Sequence, residues 1–492
     1  MAIKYILAID QGTTSTRALL FNKAGVIVYK SQQELTCYYP NDGWVEQNAL
    51  DVWLSVLDVI NDCLAKTNLS YDDIDCIGLT NQRETTVVWD KKTGMPVYNA
   101  IVWQSRQSQK ICDKWSKYTD LIHQKTGLIL NPYFSASKIR FILDTLKDGQ
   151  ERAEKGELMC GTIDTWIMYK LSNGKIFKTD VTNASRTMLF NITTLEWDEE
   201  LLKLFNIPKC MLSEVAPSSN YFGEAIALRK KLKICGVAGD QQAALFGQNC
   251  FEPGDLKNTY GTGCFMLMNT GNKPIFSKNG LVTTIAWKIG DDVVYALEGS
   301  VFIGGAVVQW LRDSMRMIKE ASDTEQYAKD AKTDLGVYVV PAFVGLGAPY
   351  WDNDVRGAVF GLTRATSKEH FIRAVLNSIA LQSKDLEVAM EKECHNKVKV
   401  LKVDGGATSN GYLMQYQADI LNSEVLLPVC LETTALGVAY LAGLQNKYWK
   451  SIDEIKKIHK YQKEYTPKMK KAVRDEIDYK WHKAIEAVRV FK

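Results

Sequence analysis

Short apolar runs alternate with longer amphipathic stretches from the start of the chain. Residues 3–9 and 18–28 are apolar runs that predict β-strands, and residues 76–80 and 85–89 predict two more strands around a polar turn. Residues 50–64 predict a helix, because their apolar positions recur every three or four residues on one face. This alternation of strands and helices predicts an α/β fold.

A related pattern begins again near residue 240. The stretch "ICGVAGDQQAALFGQ" is a strand-like run that ends in an acid, and "KNTYGTGCFMLMNT" contains a strand, a turn and a second strand. Both "DQGTTSTRALLF" and "YGTGCFMLM" place a Gly/Thr turn between apolar strands, which favours two similarly built lobes, with chance as the alternative. We expect these lobes to span residues 1–248 and 249–492.

The second half also contains the longest predicted helix, which starts at "TSKEHFIRAVLNSIALQ". Thr366 and Glu369 have the spacing of a capping box at its N-terminus. The stretch "VKVLKVDGGATSN" then predicts a strand and a Gly-Gly turn, and "TTALGVAYLAG" predicts a helix. The Lys-rich tail from Ser451 onward has a helical pattern, typical of a solvated surface helix.

Composition fits an ordinary globular protein with two large domains. The 492 residues are 46% hydrophobic and 24% charged, and the net charge of +3 gives no argument for nucleic acid as a partner. Eleven scattered cysteines without a C-x-x-C pair suggest reduced thiols and a cytoplasmic protein. The apolar runs fall short of the roughly 20 residues that cross a bilayer, so we expect a soluble protein without membrane insertion.

Three turns that follow predicted strands combine glycine with hydroxyl residues, at positions 12–14, 261–263 and 405–408. Glycine allows close approach to the backbone, and N–H and hydroxyl groups are donors to phosphates, although a single such turn usually only reverses the chain. No P-loop sequence, protein-kinase signature or G-x-G-x-x-G after the first strand is present. The remaining interpretation is an actin-like site, in which each lobe supplies a turn for phosphates and an acid for a metal ion.

Two acids stand at the ends of apolar strands. Asp10 and Asp240 would be costly there without a partner, and Mg²⁺ bridging nucleotide phosphates would supply one. One of the two could instead be a general base toward a substrate hydroxyl. A cap on the following helix is the alternative for Asp240.

Candidate substrate-binding residues lie in and around "NQRETT". Arg83 and Glu84 place a fork-shaped donor beside an acceptor, which suits neighbouring hydroxyls of a polyol, with a surface ion pair as the alternative. Trp103, Tyr133 and Phe265 are either core residues or walls against the carbon side of a small polyol. The five histidines are scattered, so neither a Ser-His-Asp arrangement nor a metal cluster is indicated.

Over essentially its whole length the chain resembles the FGGY carbohydrate kinases, which have the actin and hexokinase ATPase fold. The resemblance rests on motifs in one order, among them "DQGTTSTR", "GWVEQN", "TNQRETT", "TNASRTMLFN", "AGDQQAALFGQ", "NTYGTGCFMLMNTG" and "VDGGATSN". It implies two ribonuclease H-like lobes with an active-site cleft between them. It also implies the transfer of the γ-phosphoryl group of ATP, with Mg²⁺, to glycerol in a protein that is a homodimer or homotetramer.

The resemblance assigns roles position by position. Asp240 is implied as the catalytic base, and Asp10, with Asp240, as a metal-site acid that holds Mg²⁺ through coordinated water. The implied contacts to the nucleotide are Thr13, Thr14, Ser15, Arg17, Thr262, Gly305, Gln309, Gly406 and Asn410. The implied contacts to the polyol are Arg83, Glu84, Trp103, Tyr133, Asp240, Gln241 and Phe265.

One segment departs from the family pattern. Some bacterial members have a glycine-rich loop for a sugar bisphosphate inhibitor where this chain has "FGEAIALRKKLKICG", so that form of feedback is not expected. Two alternative functions stay open. One is a kinase of the same family for another polyol or a sugar such as xylulose or gluconate. The other is an actin-like ATPase that uses nucleotide to switch conformation.

Overall fold

The computed structural model describes residues 4–352, 354–395 and 397–491. Through residue 248 its strands and helices are β1 (Tyr5–Gln11), β2 (Ser15–Phe21), β3 (Ile27–Glu34), β4 (Glu46–Gln47), α1 (Ala49–Thr67), β5 (Ile74–Asn81), β6 (Thr86–Asp90), β7 (Ala100–Ile101), α2 (Gln109–Lys114), α3 (Thr119–Thr126), α4 (Ser135–Thr145), α5 (Gly149–Glu154), β8 (Leu158–Thr162), α6 (Ile163–Leu171), β9 (Lys178–Asp180), α7 (Val181–Ala184), β10 (Phe190–Asn191), β11 (Glu196–Trp197), α8 (Glu199–Phe205), β12 (Glu214–Ala216), β13 (Ser219–Ala225), β14 (Leu232–Gly239) and α9 (Asp240–Gly247).

The second half of the chain has the same alternation. Its strands and helices are β15 (Leu256–Tyr260), β16 (Cys264–Gly271), β17 (Val282–Ile289), β18 (Asp292–Val301), α10 (Ala306–Asp313), α11 (Asp323–Asp330), β19 (Tyr338–Val340), β20 (Ala358–Phe360), α12 (Lys368–Cys394), β21 (Val400–Asp404), α13 (Gly411–Leu421), β22 (Glu424–Pro428), α14 (Thr433–Gln445), α15 (Ile452–Ile458), β23 (Tyr461–Tyr465) and α16 (Lys471–Val490).

One large sheet runs through both halves. In the described residues it has 13 strands in the order β23-β22-β21-β15-β16-β18-β17-β13-β14-β5-β1-β2-β3. In the first half, β3, β2 and β1 are antiparallel and β5 and β14 continue parallel to β1, while β18, β16, β15, β21 and β22 repeat this arrangement in the second half. The two halves meet where Ser219 of β13 pairs with Ile289 of β17. The prediction of an α/β fold with two similarly built lobes is therefore confirmed.

Helices α9 and α14 cross between the two halves at a pair of glycines. A Cβ atom on Gly247 would lie 2.0 Å from the carbonyl oxygen of Thr433, and one on Gly437 would lie 1.8 Å from that of Ala243. Both distances are far below van der Waals contact, so only glycine permits this crossing. The crossing fixes the position of α9, the helix that begins at Asp240.

The first long helix follows directly from its sequence. Asn48 precedes α1, and its side-chain oxygen accepts a hydrogen bond from the N–H of Leu50 at 2.9 Å, which caps the helix. The residues buried at intervals of three and four positions include Val52, Val56 and Val59. The predicted helix is confirmed and extends one residue before its predicted start and three residues beyond its predicted end.

Three predictions of local structure are corrected. The strand predicted over residues 18–28 is interrupted by a turn, because the Asn22 side chain accepts the N–H groups of Ala24 and Val26. The capping box of α12 lies one residue later than predicted, since the N–H of Ser367 donates to Nδ1 of His370. The tail after Ser451 is not wholly helical, because β23 pairs with β22 at the sheet edge.

The remaining predicted strands agree with the structure, except that Ile3 lies outside the described residues. A second sheet of four strands, in the order β4-β7-β6-β8, lies in the first half of the chain. It places Arg83 and Glu84 just before β6 and Trp103 just after β7. Within the described part of the chain, no helix has both the length and the apolar character to span a membrane.

Candidate active site

The first glycine turn connects β1 to β2 and is held by side chains. The N–H of Gly12 donates to the carbonyl oxygen of Ser15 at 2.9 Å, which closes the turn. The indole Nε1–H of Trp103 donates to Oγ1 of Thr13 at 2.8 Å, and Nε2 of Gln47 donates to the carbonyl oxygen of Thr13 at 2.6 Å. The turn is thus fixed by two residues from the second sheet and its neighbourhood, while Thr14 is exposed.

The second glycine turn connects β15 to β16 and is held by backbone. The N–H of Gly261 donates to the carbonyl oxygen of Gly263 at 2.9 Å. The N–H groups of Gly304 and Gly305 donate to the carbonyl oxygens of Thr262 and Gly261, each at 2.8 Å. A Cβ atom on Gly263 would lie 2.4 Å from the carbonyl oxygen of Val301. Thr262 and Gly305, both predicted nucleotide contacts, therefore lie side by side.

The third glycine turn lies against the second. A Cβ atom on Gly405, which has φ 94°, would lie 2.4 Å from the carbonyl oxygen of Tyr260, whereas Gly406 faces open space. Asn410 begins α13 by accepting the N–H of Leu413 on its Oδ1 at 3.0 Å. The structure therefore places Gly406 beside the second turn, Asn410 at the start of α13 with its Nδ2 donating to Oγ1 of Thr324, and Gln309 on the exposed side of α10.

Asp10, at the end of β1, is surrounded by further charges. Arg17 pairs with it across the β1–β2 ladder, with Nη1 3.7 Å from Oδ2 of Asp10. The same Nη1 lies 3.1 Å from Oε2 of Glu432, whose other oxygen accepts a hydrogen bond from Lys30 at 2.6 Å. Burial raises the pKa of Asp10 to about 6, Arg17 opposes this rise, and Glu432 and Asp240 add to it.

Asp240 is the first residue of α9, directly after β14. Its Oδ1 lies 3.1 Å from Nε of Arg83 and accepts the N–H of Gln241 at 2.7 Å. Burial raises the pKa of Asp240, and Arg83 and Lys257 oppose that rise. The carboxylate keeps 30% of its side-chain surface exposed, so a small molecule can still reach it.

Arg83 and Glu84 belong to a buried ion network. Arg83 is 3% exposed and Glu84 1% exposed, so the alternative of a surface ion pair is wrong. Both Nη atoms of Arg83 bind Glu298, at 2.6 and 2.8 Å, and Nε of Arg186 donates to Oε1 of Glu84 at 2.6 Å. Arg186 also reaches Glu298 at 3.1 Å. Glu298 carries a pKa lowered to about 2, because the two arginines outweigh the effect of burial.

The three predicted aromatic walls form one group. The ring of Trp103 lies 5.5 Å from that of Tyr133 and 6.1 Å from that of Phe265, edge to face in both cases. All three residues are half-buried, and the guanidinium of Arg186 lies 5.8 Å from the ring of Tyr133. The group is thus continuous with the ion network.

Gln241 connects Asp240 to a lysine that sequence reasoning missed. Lys257 on β15 is fully buried, and its Nζ donates to Oε1 of Gln241 and to Oγ1 of Thr259. Burial lowers the pKa of this lysine to about 8. Gln241 itself is buried, so its amide is oriented by Lys257.

Comparisons with known proteins found relatives of similar sequence and of similar structure. Sequence models of the "FGGY family of carbohydrate kinases" match residues 5–247 (N-terminal domain) and 256–445 (C-terminal domain). A glycerol kinase from Bacillus cereus (strain Q1) is 56% identical over 494 residues, covering 99% of this chain and all of that protein. One from Bacillus anthracis (strain CDC 684 / NRRL 3495) has the same identity and coverage.

Solved structures show the same fold. A crystal structure of Plasmodium falciparum glycerol kinase with ADP superposes with a TM-score of 0.91 at 35% identity, covering 99% of this chain and 98% of that one. A ligand-bound xylulose kinase from Lactobacillus acidophilus superposes with a TM-score of 0.88 at 22% identity over the full length of both chains, which shows the fold alone. Two family domains in order, and relatives matched end to end, lead to one conclusion. The chain belongs to the FGGY family of carbohydrate kinases.

Proposed function

We propose that the protein transfers the γ-phosphoryl group of ATP to a terminal hydroxyl of glycerol, giving sn-glycerol 3-phosphate and ADP. The observation that carries the proposal is the position of Asp240. Its partly exposed carboxylate lies 3.1 Å from Arg83, a member of the ion network that also reaches the aromatic ring of Tyr133 through Arg186. Support also comes from the relatives named glycerol kinase, one of them solved with ADP.

Asp240 acts as the general base. It takes the proton of the attacking hydroxyl as the glycerol oxygen bonds to the γ-phosphorus and the bond from that phosphorus to ADP breaks. Burial raises the pKa of Asp240, which makes the carboxylate a better proton acceptor, while Arg83 and Lys257 keep it ionised. The proton then leaves to solvent through the exposed face of the carboxylate.

Glycerol occupies the space between the ion network and the aromatic rings. Arg83, Glu84 and Gln241 bind its hydroxyls together with Asp240, and Trp103, Tyr133 and Phe265 contact its carbon chain. Glu84 has φ 61°, in the left-handed region that residues other than glycine seldom adopt. Such backbone outliers cluster at ligand sites, where the surrounding structure holds them in place.

The nucleotide lies across the glycine turns. Thr13, Thr14, Ser15 and Arg17 contact its phosphates from the first turn, and Thr262 does so from the second. Gly305, Gln309, Gly406 and Asn410 contact the adenosine side, where the open surface over Gly406 leaves room for a flat base. Neutral N–H and hydroxyl donors that are already in position before the reaction stabilise the charge that spreads over the phosphoryl group during transfer.

The acids fit a magnesium ion. In the residues that the structure describes, no group of three or more His, Cys, Asp or Glu side chains could hold a metal. Mg²⁺ in phosphoryl-transfer sites usually takes only one or two carboxylates, the remainder of its ligands being water and phosphate. Asp10 and Asp240 would hold it: burial and the nearby charges of Glu432 and Asp240 raise the pKa of Asp10, and a cation there would relieve that repulsion. When bound, the ion neutralises charge on the phosphates.

The remaining proposals concern the assembly and its location. The two domains, which we place at residues 1–248 and 249–492, close over the substrates to exclude water, because an open site would pass the phosphoryl group to water. We expect a homodimer or homotetramer, as the family resemblance implies. A cytoplasmic location is supported by the cysteines, none of which forms a disulfide in the described residues.

A panel of acceptors tests the function. ADP release is measured by a coupled assay with glycerol, xylulose, gluconate or no acceptor, at fixed ATP and Mg²⁺. We expect rapid release only with glycerol, because we place the clustered rings of Trp103, Tyr133 and Phe265 against a short carbon chain. Faster release with a sugar would assign the protein to another branch of the family. Release that no acceptor changes would support the conformational ATPase.

A further inference from the structure

Glu298 is a buried acid on β18 that binds two arginines at once. Its side chain is fully buried, and its two oxygens receive both Nη atoms of Arg83 at 2.6 and 2.8 Å. Oε1 also lies 3.1 Å from Nη2 of Arg186. Glu298 lies in the C-terminal family domain, whereas Arg83 and Arg186 lie in the N-terminal one. The network therefore joins the two domains.

The bidentate contact decides which part of Arg83 faces the site. With both Nη atoms on Glu298, Nε is the guanidinium nitrogen that lies nearest Asp240, 3.1 Å from its Oδ1. A planar guanidinium group that is bound through both Nη atoms has little freedom to rotate. Glu298 therefore sets the orientation of Arg83 relative to the proposed base.

The same acid also sets Arg186 and, through it, Glu84. Arg186 lies between Glu298 and Glu84, at 3.1 and 2.6 Å, so the four side chains alternate in charge. Without the charge of Glu298, two buried arginines would share Glu84 as their acid within the network. Their repulsion would turn Arg83 toward Asp240 and draw Glu84 away from its present position.

We propose that Glu298 is a positioning residue for glycerol phosphorylation, which reaches across the domain boundary to hold Arg83 and Arg186 in the orientation that binds the polyol. The inference rests on the proposed function. Glu298 is fully buried and acts through the arginines rather than on the substrate. A buried ion pair is weak evidence for stability, since apolar replacements are often as stable. A role in orienting Arg83 and Arg186 accounts for the position of Glu298 in one domain and of both arginines in the other.

The test is Glu298→Gln, which keeps the shape and removes the charge. We expect the KM for glycerol to rise by about 10- to 100-fold, as is typical when a supporting residue of a site is lost. The KM for ATP should change by less than about 2-fold, because the glycine turns are untouched. Glu387→Gln is the control for replacing a buried glutamate: Glu387 lies in the same domain and accepts a hydrogen bond from Ser423, and its replacement should leave both KM values unchanged.

Each outcome either supports or overturns the role of Glu298 as a positioning residue. A folded Glu298→Gln with an unchanged KM for glycerol, or with equal rises for glycerol and ATP, overturns the inference. If that variant does not fold, Glu298→Asp carries the same test, because it keeps the charge but shortens the reach to the arginines. Its KM for glycerol should rise by roughly 5-fold or more with the KM for ATP unchanged, and an unchanged KM for glycerol overturns the inference. Wild-type release of ADP without glycerol dependence would instead reject the proposed function, and this inference with it.

Discussion

The two glycine turns at residues 11–15 and 260–264 each connect a pair of antiparallel strands, but their surroundings differ. With Gly12 aligned to Gly261, the position of Asp10 in the first turn is occupied by Thr259 in the second. The first turn is held by the side chains of Trp103 and Gln47 and adjoins Asp10 and Arg17. The second is held by backbone N–H groups of two glycines.

This difference divides the chemistry between two similar halves. Charged side chains at the first turn suit the reacting phosphoryl group and its metal ion, where charge changes during the reaction. Backbone donors at the second turn suit the part of the nucleotide that only has to be bound. We therefore expect substitutions near the first turn to change kcat and those at the second turn to change the KM for ATP.

The largest expected effect is that of Asp240→Asn, which keeps the shape but removes the proton acceptor. We expect kcat to fall by about 10²–10⁴-fold, the usual contribution of a general base. Asp10→Asn is the comparison: it should raise the Mg²⁺ concentration needed for half-maximal activity, and part of its kcat should return at high Mg²⁺. Steady-state kinetics over a Mg²⁺ series measure both. Wild-type kcat in Asp240→Asn would contradict the assignment of the base.

The next effect is expected from Gly263→Ala at the second turn. The new Cβ would lie 2.4 Å from the carbonyl oxygen of Val301, so the turn has to move. We expect the KM for ATP to rise by roughly 10-fold or more, since displacements of about 1 Å in a site can cost 10²-fold. Gly78→Ala is the matched control, with a backbone clash of 2.5 Å at Val438. If both variants lose thermal stability and neither changes the KM for ATP, the second turn does not bind the nucleotide.

The smallest effect is expected from Trp103→Phe, which keeps an aromatic wall and removes the indole N–H that binds Thr13. One hydrogen bond contributes about 1 kcal/mol, so kcat/KM for glycerol should fall by about 5-fold. Trp197→Phe removes an indole bond of the same length, 2.8 Å, to Ser213 outside the site, and should leave kcat/KM unchanged. Equal losses in both variants would show that the bond to Thr13 has no special role.

The sequence was sufficient where the signal is local. The helix at α1 follows from its periodicity, and the glycine turns follow from glycine beside hydroxyls after apolar strands. The same local reasoning missed the turn at Asn22, where a side chain bonding its own backbone interrupts an apolar run. It also missed β23, whose strand state depends on pairing with β22 rather than on its own composition.

The supporting residues of the site have no local signal. Glu298 lies within β18, Lys257 within β15 and Glu432 directly before α14. Their partners are 215, 16 and 415 positions away along the chain, respectively. Only the folded sheet brings these residues together, so a single sequence does not reveal them. Arg186 differs from these residues because it does have a sequence signal: it lies inside the motif "TNASRTMLFN", which is part of the family resemblance.

The most direct test of the account follows the phosphoryl group itself. ATP labelled in its γ-phosphoryl group is incubated with the protein, Mg²⁺ and glycerol, and the labelled products are separated. We predict that the label appears in sn-glycerol 3-phosphate and that little appears in inorganic phosphate. Label released as inorganic phosphate at the same rate with and without glycerol would contradict it.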